Sequence, residues 1–250
     1  MLKALVNRSQ ARLLDMVRDT ETRATLREVV LMRHDLGLVV PAHGPGDDVV
    51  VLVHGFFASA GVWRPLKARL EDEGGKVATF THAPGATVRV IAKQLARLVA
   101  RIHVGARVHI VGHSLGGIVA RWYVQEEGGH SRVTQTLSLA SPFGGAPAAQ
   151  RFPILVGNDL LPHSHVLTRL RARAHAHDVP HLSIASPADR MVPARAAAHH
   201  RHESVTVEGI GHNSMLYDES VVEIVVDRIF NPPPAERWDT PPRSGILPRV

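Results

Sequence analysis

The feature that most constrains this chain is a run of β-branched residues, "VVVLVHG", from Val49 to Gly55. Apolar residues in unbroken succession leave no wet face, so the segment reads as a strand buried on both sides, as in parallel sheets covered by helices. Further strand candidates are "KVATFTH" (Lys76–His82), "RVHIVG" (Arg107–Gly112), "VTQTLSLAS" (Val133–Ser141), "HLSIAS" (His181–Ser186) and "HESVTVEG" (His202–Gly209). Between these runs, "TVRVIAKQLARLVARI" (Thr87–Ile102), "SLGGIVARWYVQEE" from Ser114 and "SMLYDESVVEIVVDRIF" (Ser214–Phe230) carry apolar residues at helical spacing. Strands alternating with helices predict the α/β class, with a mostly parallel central sheet and helices on both faces.

A chain of 250 residues can bury one core of this kind, here expected over residues 41–230. Residues 1–40 form an N-terminal extension. Leu13, Met16 and Val17, then Leu26, Val29 and Val30, predict one or two amphipathic helices packed on the domain surface, a lipid-facing role being the alternative. Residues 142–180 show no clear strand and are expected to lay a small helical cap over one edge, with Phe152–Leu170 a candidate short lid and ordinary core packing the alternative. The Pro-rich tail, 231–250, holds six of the 17 prolines and is expected to lack a packed core of its own.

Composition narrows the chemistry. There is no cysteine, which removes disulfides, thiolate metal sites and cysteine nucleophiles together. The net charge is +6, but lysine occurs only at Lys3, Lys67, Lys76 and Lys93, and no basic run is interleaved with aromatics. Nucleic-acid binding is therefore not indicated. The amino terminus breaks into polar residues before a signal-peptide apolar stretch can form, which points to a cytoplasmic protein, with peripheral membrane contact through the basic amino-terminal helices as a variant. Among 17 histidines, the "HHRH" group of His199, His200 and His202 lacks a carboxylate set for a metal and reads as surface. The sequence sets no oligomeric state.

Within "VHIVGHSLGGIVARW", Ser114 stands where a buried strand ends and a helix begins. Gly-x-Ser-x-Gly at that junction fits a tight turn that projects the serine hydroxyl from the carboxyl edge of the sheet. The helix opening at Leu115 would direct N–H groups and positive dipole towards a developing oxyanion. Such a hydroxyl needs a base and an orienting acid. In "VEGIGHNSML", His212 occupies a strand-end loop, and in "SIASPADRMVP" so does Asp189, capping of its own loop being the lesser alternative. Asp178 precedes its strand and Asp218 falls within the predicted closing helix, so both are weaker candidates for the acid. His109 and His113 are not placed to act as base. The N–H groups of Phe56 and Leu115 are candidates for an oxyanion hole, with His54 bracing the loop. Phe57, Trp63 and Phe143 are candidate lining residues of an apolar acyl site, ordinary core packing being the alternative.

Together "VHGF", "GHSLGG", "LASPFGGAP", "PADRMVP" and "GIGHNSML" resemble the α/β-hydrolase superfamily, more narrowly bacterial lipases and esterases with a small cap. The resemblance spans about Val49 to Phe230. It implies an α/β-hydrolase fold, Ser114 as nucleophile, His212 as general base and acid, Asp189 as its orienting partner, and Phe56 and Leu115 as oxyanion donors. Those lipases more often carry histidine where this chain has Phe143. The implied reaction is two-step hydrolysis of a small-molecule or lipid ester through an acyl-enzyme, with no metal or organic cofactor. Thioesterase and amidase activity are alternatives within the fold, and so is a non-catalytic hydrolase-fold protein that binds a ligand or partner.

Overall fold

The computed structural model describes residues 2–146, 156–199, 202–232 and 245–247, with backbone only for 2–14, 16–17 and 245–247. The chain runs α1 (Leu2–Met32), β1 (Asp48–Val53), α2 (Arg64–Asp72), β2 (Lys76–Thr79), α3 (Val88–Val99), β3 (Arg107–His113), α4 (Leu115–Glu126) and β4 (Val133–Leu139). It continues through α5 (Val156–Asp159), α6 (His165–Ala172), β5 (His181–Ala185), α7 (Ala194–Ala197), β6 (Glu203–Val207), α8 (Glu219–Phe230) and β7 (Gly245–Leu247). The seven strands form one sheet in the order β2-β1-β3-β4-β5-β6-β7, and every pairing is parallel.

The apolar runs behave as two-faced strands. Val49, Val51 and Val53 pack with Ile91, Leu95 and Ile118 on one face, while Val50 and Leu52 pack with Leu66, Leu70 and Val225 on the other. Helix α3 buries Val88, Ile91, Ala92, Leu95, Leu98 and Val99, a stripe at helical spacing. In the 142–180 region no strand forms among the described residues. Ser164 caps α6 by accepting from the Leu167 N–H at 3.1 Å, and α6 seats Val166, Leu167 and Leu170 in the first core. Residues 147–155, including Phe152, lie outside the described residues.

The strand order reverses between β1 and β3, so β1 leads outwards to β2 on one side and β3 leads to β4 on the other. Open α/β sheets bind ligands in the crevice at the carboxyl ends flanking such a switch. Here those ends are His54–Phe56 after β1 and Ser114 after β3, with Val53 paired to Gly112.

Two expectations need correction, the docking face of the amino-terminal helix and the length of the closing helix. The amino-terminal segment is one helix, about 46 Å long, because neither Gly nor Pro occurs before Gly37. Where its side chains are described, the apolar stripe does not dock: Leu26, Val29 and Val30 are 63%, 49% and 56% exposed, while the face bearing Glu21, Ala24 and Glu28 turns inwards; the side chains of Leu13, Met16 and Val17 lie outside the described residues. The closing helix is shorter than its periodicity suggests. Asp218 caps α8 by accepting from Ser220 N–H, and Asn213–Leu216 form a separate 3-10 turn. The tail also contributes β7 to the sheet edge.

Burial of His54, His113 and His202 holds each imidazole down at about 3, against an ordinary 6.5. His181 is also held well below its ordinary value, first by burial and then by His199. The unfolded chain binds protons below 6.5 that these groups refuse until far lower pH, so their contribution to stability is complete above 6.5 and drains away on acidification. Each can remove up to about 1.4 kcal/mol per pH unit in that window. The urea midpoint is therefore expected to be level from pH 8 to 7 and clearly lower at pH 5. A midpoint that holds or rises at pH 5 would contradict this.

Candidate active site

Ser114 sits between β3 and α4 with φ 51 and ψ −116, a conformation L residues rarely adopt. Its neighbours make room for it. A Cβ on Gly112 would lie 2.3 Å from the Gly116 carbonyl carbon, one on Gly116 would lie 2.0 Å from the Val53 oxygen, and one on Gly117 would lie 2.1 Å from Ser141 Oγ. The glycines thus let α4 press against β1, β3 and the loop after β4. The Ser114 N–H is tied to the Leu139 carbonyl at 2.8 Å, which fixes the turn to β4. From Val108 to Gln125 every residue is buried except Ser114, which is partly open to solvent.

Two more strand ends meet this turn. Asp189, after β5, accepts the Met191 and Val192 N–H groups on Oδ1 at 2.8 and 2.9 Å. Its Oδ2 accepts from His212 Nδ1 at 2.7 Å, the two side chains being 1% and 5% exposed. This bond fixes the tautomer and presents Nε2 on the far side of the ring. Ser186 Oγ joins the two loops by accepting from Ala188 N at 3.1 Å and Ile210 N at 3.4 Å.

The elbow and the histidine loop are linked by His113. Burial keeps its imidazole neutral, and Nε2–H donates to the His212 carbonyl at 3.1 Å. The loop after β1 closes the group: a Cβ on Gly55 would lie 3.0 Å from His113 Nδ1 and 3.3 Å from Ser114 Cβ. His54 braces that loop as expected. Its Nδ1–H donates to the Gly55 carbonyl at 2.9 Å, its Nε2 accepts the His82 N–H at 3.2 Å, and the two rings stack at 3.8 Å. Ser114, Asp189, His212 and the Gly55–Phe57 loop are thus gathered at one edge of the sheet.

Residues 79–224 match the model of the PGAP1-like alpha/beta domain. The chain belongs to the PGAP1-like α/β domain family. The matched segment contains Ser114, Asp189 and His212. Among solved structures, the chain is similar to the mature form of a Bacillus licheniformis lipase, BlEst2, at a TM-score of 0.65 and 15% identity, covering 76% of this chain and 95% of that one. Aspergillus fumigatus lipase B matches at 0.63 and 16%, over 81% of this chain and 58% of its own. A Paleococcus ferrophilus monoacylglycerol lipase matches at 0.60 and 17%, over 81% and 98%. No curated protein matches the chain. At such identities these likenesses establish the α/β-hydrolase fold.

Within this PGAP1-like domain, several expected placements change. Trp63 is wholly buried against Leu66 and Leu70 in the second core, so it does not line an acyl site. Phe143 is 2% exposed and packs edge-on to His181 at 5.3 Å and His199 at 4.7 Å. Of the three, Phe57 alone is exposed, at 53% and φ 57, with its ring 4.0 Å from that of Phe56. His199 is 4% exposed and His202 half-buried, because the chain after α7 folds back under β5; His200 lies outside the described residues. His113 was passed over in the sequence because its bond to a backbone carbonyl leaves no motif.

The strain at Ser114 is testable. Glycine tolerates φ 51, so Ser114→Gly is expected to raise stability in urea by about 1 kcal/mol. A loss of stability would show that the turn is not strained.

Proposed function

We propose that the protein is a serine hydrolase of carboxylic esters, working through Ser114, His212 and Asp189. The observation that carries this reading is the 2.7 Å bond from His212 Nδ1 to a buried Asp189, on the strand-end face where Ser114 forms its turn. An aspartate that already accepts two backbone N–H bonds is a fixed acceptor, and it would stabilise the imidazolium that forms when His212 Nε2 takes the Ser114 proton. Ser114 Oγ then attacks the ester carbonyl. The tetrahedral oxygen would receive the N–H groups of Phe56 and Leu115, the latter with the α4 dipole behind it. His212 returns the proton to the leaving alcohol. A water activated by the same nitrogen releases the acid and frees Ser114.

The similarity to proteins named as lipases from three organisms supports an ester of lipid or related type as substrate. The exposed Phe57 supplies an apolar contact for an acyl chain or alcohol.

The test is hydrolysis of p-nitrophenyl esters from acetate to palmitate. Wild type is expected to be active, Ser114→Ala to lose at least about 10⁴-fold in kcat, and Asp189→Asn about 10⁴-fold through the wrong His212 tautomer. Absence of wild-type turnover on every ester, with turnover of a thioester or amide, would move the substrate class. Full activity in Ser114→Ala would remove the mechanism.

A further inference from the structure

We infer that Glu21 of α1 is a positioning residue of the hydrolytic site, its carboxylate capping the turn that begins at His212. The inference rests on the esterase reading above. Glu21 Oε1 accepts from the Asn213 N–H at 2.7 Å, and Oε2 accepts from the Ser214 N–H at 3.0 Å and the Ser214 hydroxyl at 2.8 Å. These are the leading donors of the 3-10 turn Asn213–Leu216, groups that a helical turn cannot satisfy internally. Ordinarily the residue at the cap position supplies an acceptor from its own side chain. Here that residue is His212, whose Nδ1 is committed to Asp189, and it makes no side-chain cap bond. A carboxylate from 192 residues away does it instead.

The approach is close enough to constrain the sequence on both sides. A Cβ on Gly211 would come 2.2 Å from Glu21 Oε2, so only glycine lets the acid seat. Further along α1, Thr25 Oγ1 accepts from Asn213 Nδ2 at 3.1 Å and Arg27 lies 4.6 Å over the Tyr217 ring. Seven residues after Glu21, on the same helix face, Glu28 also faces His212, its carboxyl raised first by burial while His212 pulls it down.

The consequence for His212 is a clamp. Its carbonyl is held by His113, its ring by Asp189, and the next two backbone N–H groups by Glu21. Ser186 Oγ holds the loop ahead of the ring through the Ile210 N–H, and Glu21 holds the chain that follows it. This explains why α1 turns its polar face inwards and leaves Leu26, Val29 and Val30 exposed. The surface it meets offers unsatisfied N–H groups, which an apolar stripe would have left unpaired.

The experiment compares wild type with Glu21→Ala, Glu21→Gln and Arg64→Ala in the full chain. Arg64 Nε donates to the His34 carbonyl at 2.9 Å, so its loss weakens the anchoring of the segment after α1 without touching the histidine loop. Glu21→Gln keeps the side-chain size but sets an amide NH₂ against an N–H, which serves if the alanine variant folds poorly. Two readouts are taken: kcat and KM on p-nitrophenyl butyrate, and the low-field proton resonance of His212 Nδ1–H. Both Glu21 variants are expected to lose about tenfold to a hundredfold in kcat, with KM within about twofold, and to shift or broaden the resonance. Arg64→Ala should lower the melting temperature and leave both readouts at wild-type values. Wild-type kcat and an unmoved resonance in the Glu21 variants would overturn the inference, as would equal losses in Arg64→Ala. If wild type hydrolyses no ester, the esterase reading fails, and the resonance alone decides the role of Glu21.

Discussion

The backbone of Ser114 is held at φ 51 and ψ −116, which costs an L residue about 1–3 kcal/mol and persists only where its surroundings leave no alternative. Those surroundings are the sheet itself. Gly116 lies against the Val53 carbonyl at the end of β1, Gly112 against α4, and the Ser114 N–H against the Leu139 carbonyl at the end of β4. Three adjacent strands therefore have to be in register before the turn can form. The two apolar cores on either face of the sheet supply that register, and the strain at one residue is sustained by burial spread over many.

Around this turn the protein solves the problem of keeping polar groups dry without leaving them unpaired. Asp189 is nearly inaccessible yet has an acceptor oxygen for two amides and another for the imidazole. His113 and His54 are kept neutral by burial, so each has one N–H to give to a backbone carbonyl, His54 to Gly55 within its own loop and His113 to His212 in the neighbouring one. Neutral imidazoles thus hold the loops while His212 remains the ring oriented by a carboxylate. In a site of low dielectric such fixed dipoles need no reorganisation when charge develops. Glu21 extends the same logic outwards: the helix ahead of the domain closes the account of backbone donors that the histidine loop leaves open.

Much of this was legible in the sequence for a physical reason. Strands covered on both faces must be largely apolar, so Val49–Val53 is legible as one and Val108–Val111, broken only by His109, as another, and a serine set between Gly112 and Gly116 after such a run fits few other structures. Asp189 and His212 were legible by position, each just beyond a strand. What was hidden depends on contacts between distant segments. The docking face of α1 was misread because amphipathicity predicts an apolar partner, whereas the partner is a row of N–H groups at residues 213 and 214. Trp63 lies a few residues from the Gly55–Phe57 loop in the chain but turns into the second core, since a 3-10 turn over Ala60–Trp63 intervenes. The "HHRH" histidines looked solvated because polarity, not burial, is what a short run displays. β7 has only three residues and no periodicity to read.

The account stands on Ser114 being the nucleophile of a site assembled from the ends of β3, β5 and β6. The direct measurement is reaction with a fluorophosphonate, which is attacked by an activated serine and leaves a stable adduct, followed by peptide mass spectrometry. The predicted result is a single adduct on the peptide containing Gly112–Gly116, absent from Ser114→Ala and strongly slowed in His212→Ala. No adduct on the folded wild-type chain, or an adduct on another serine that survives Ser114→Ala, would contradict it.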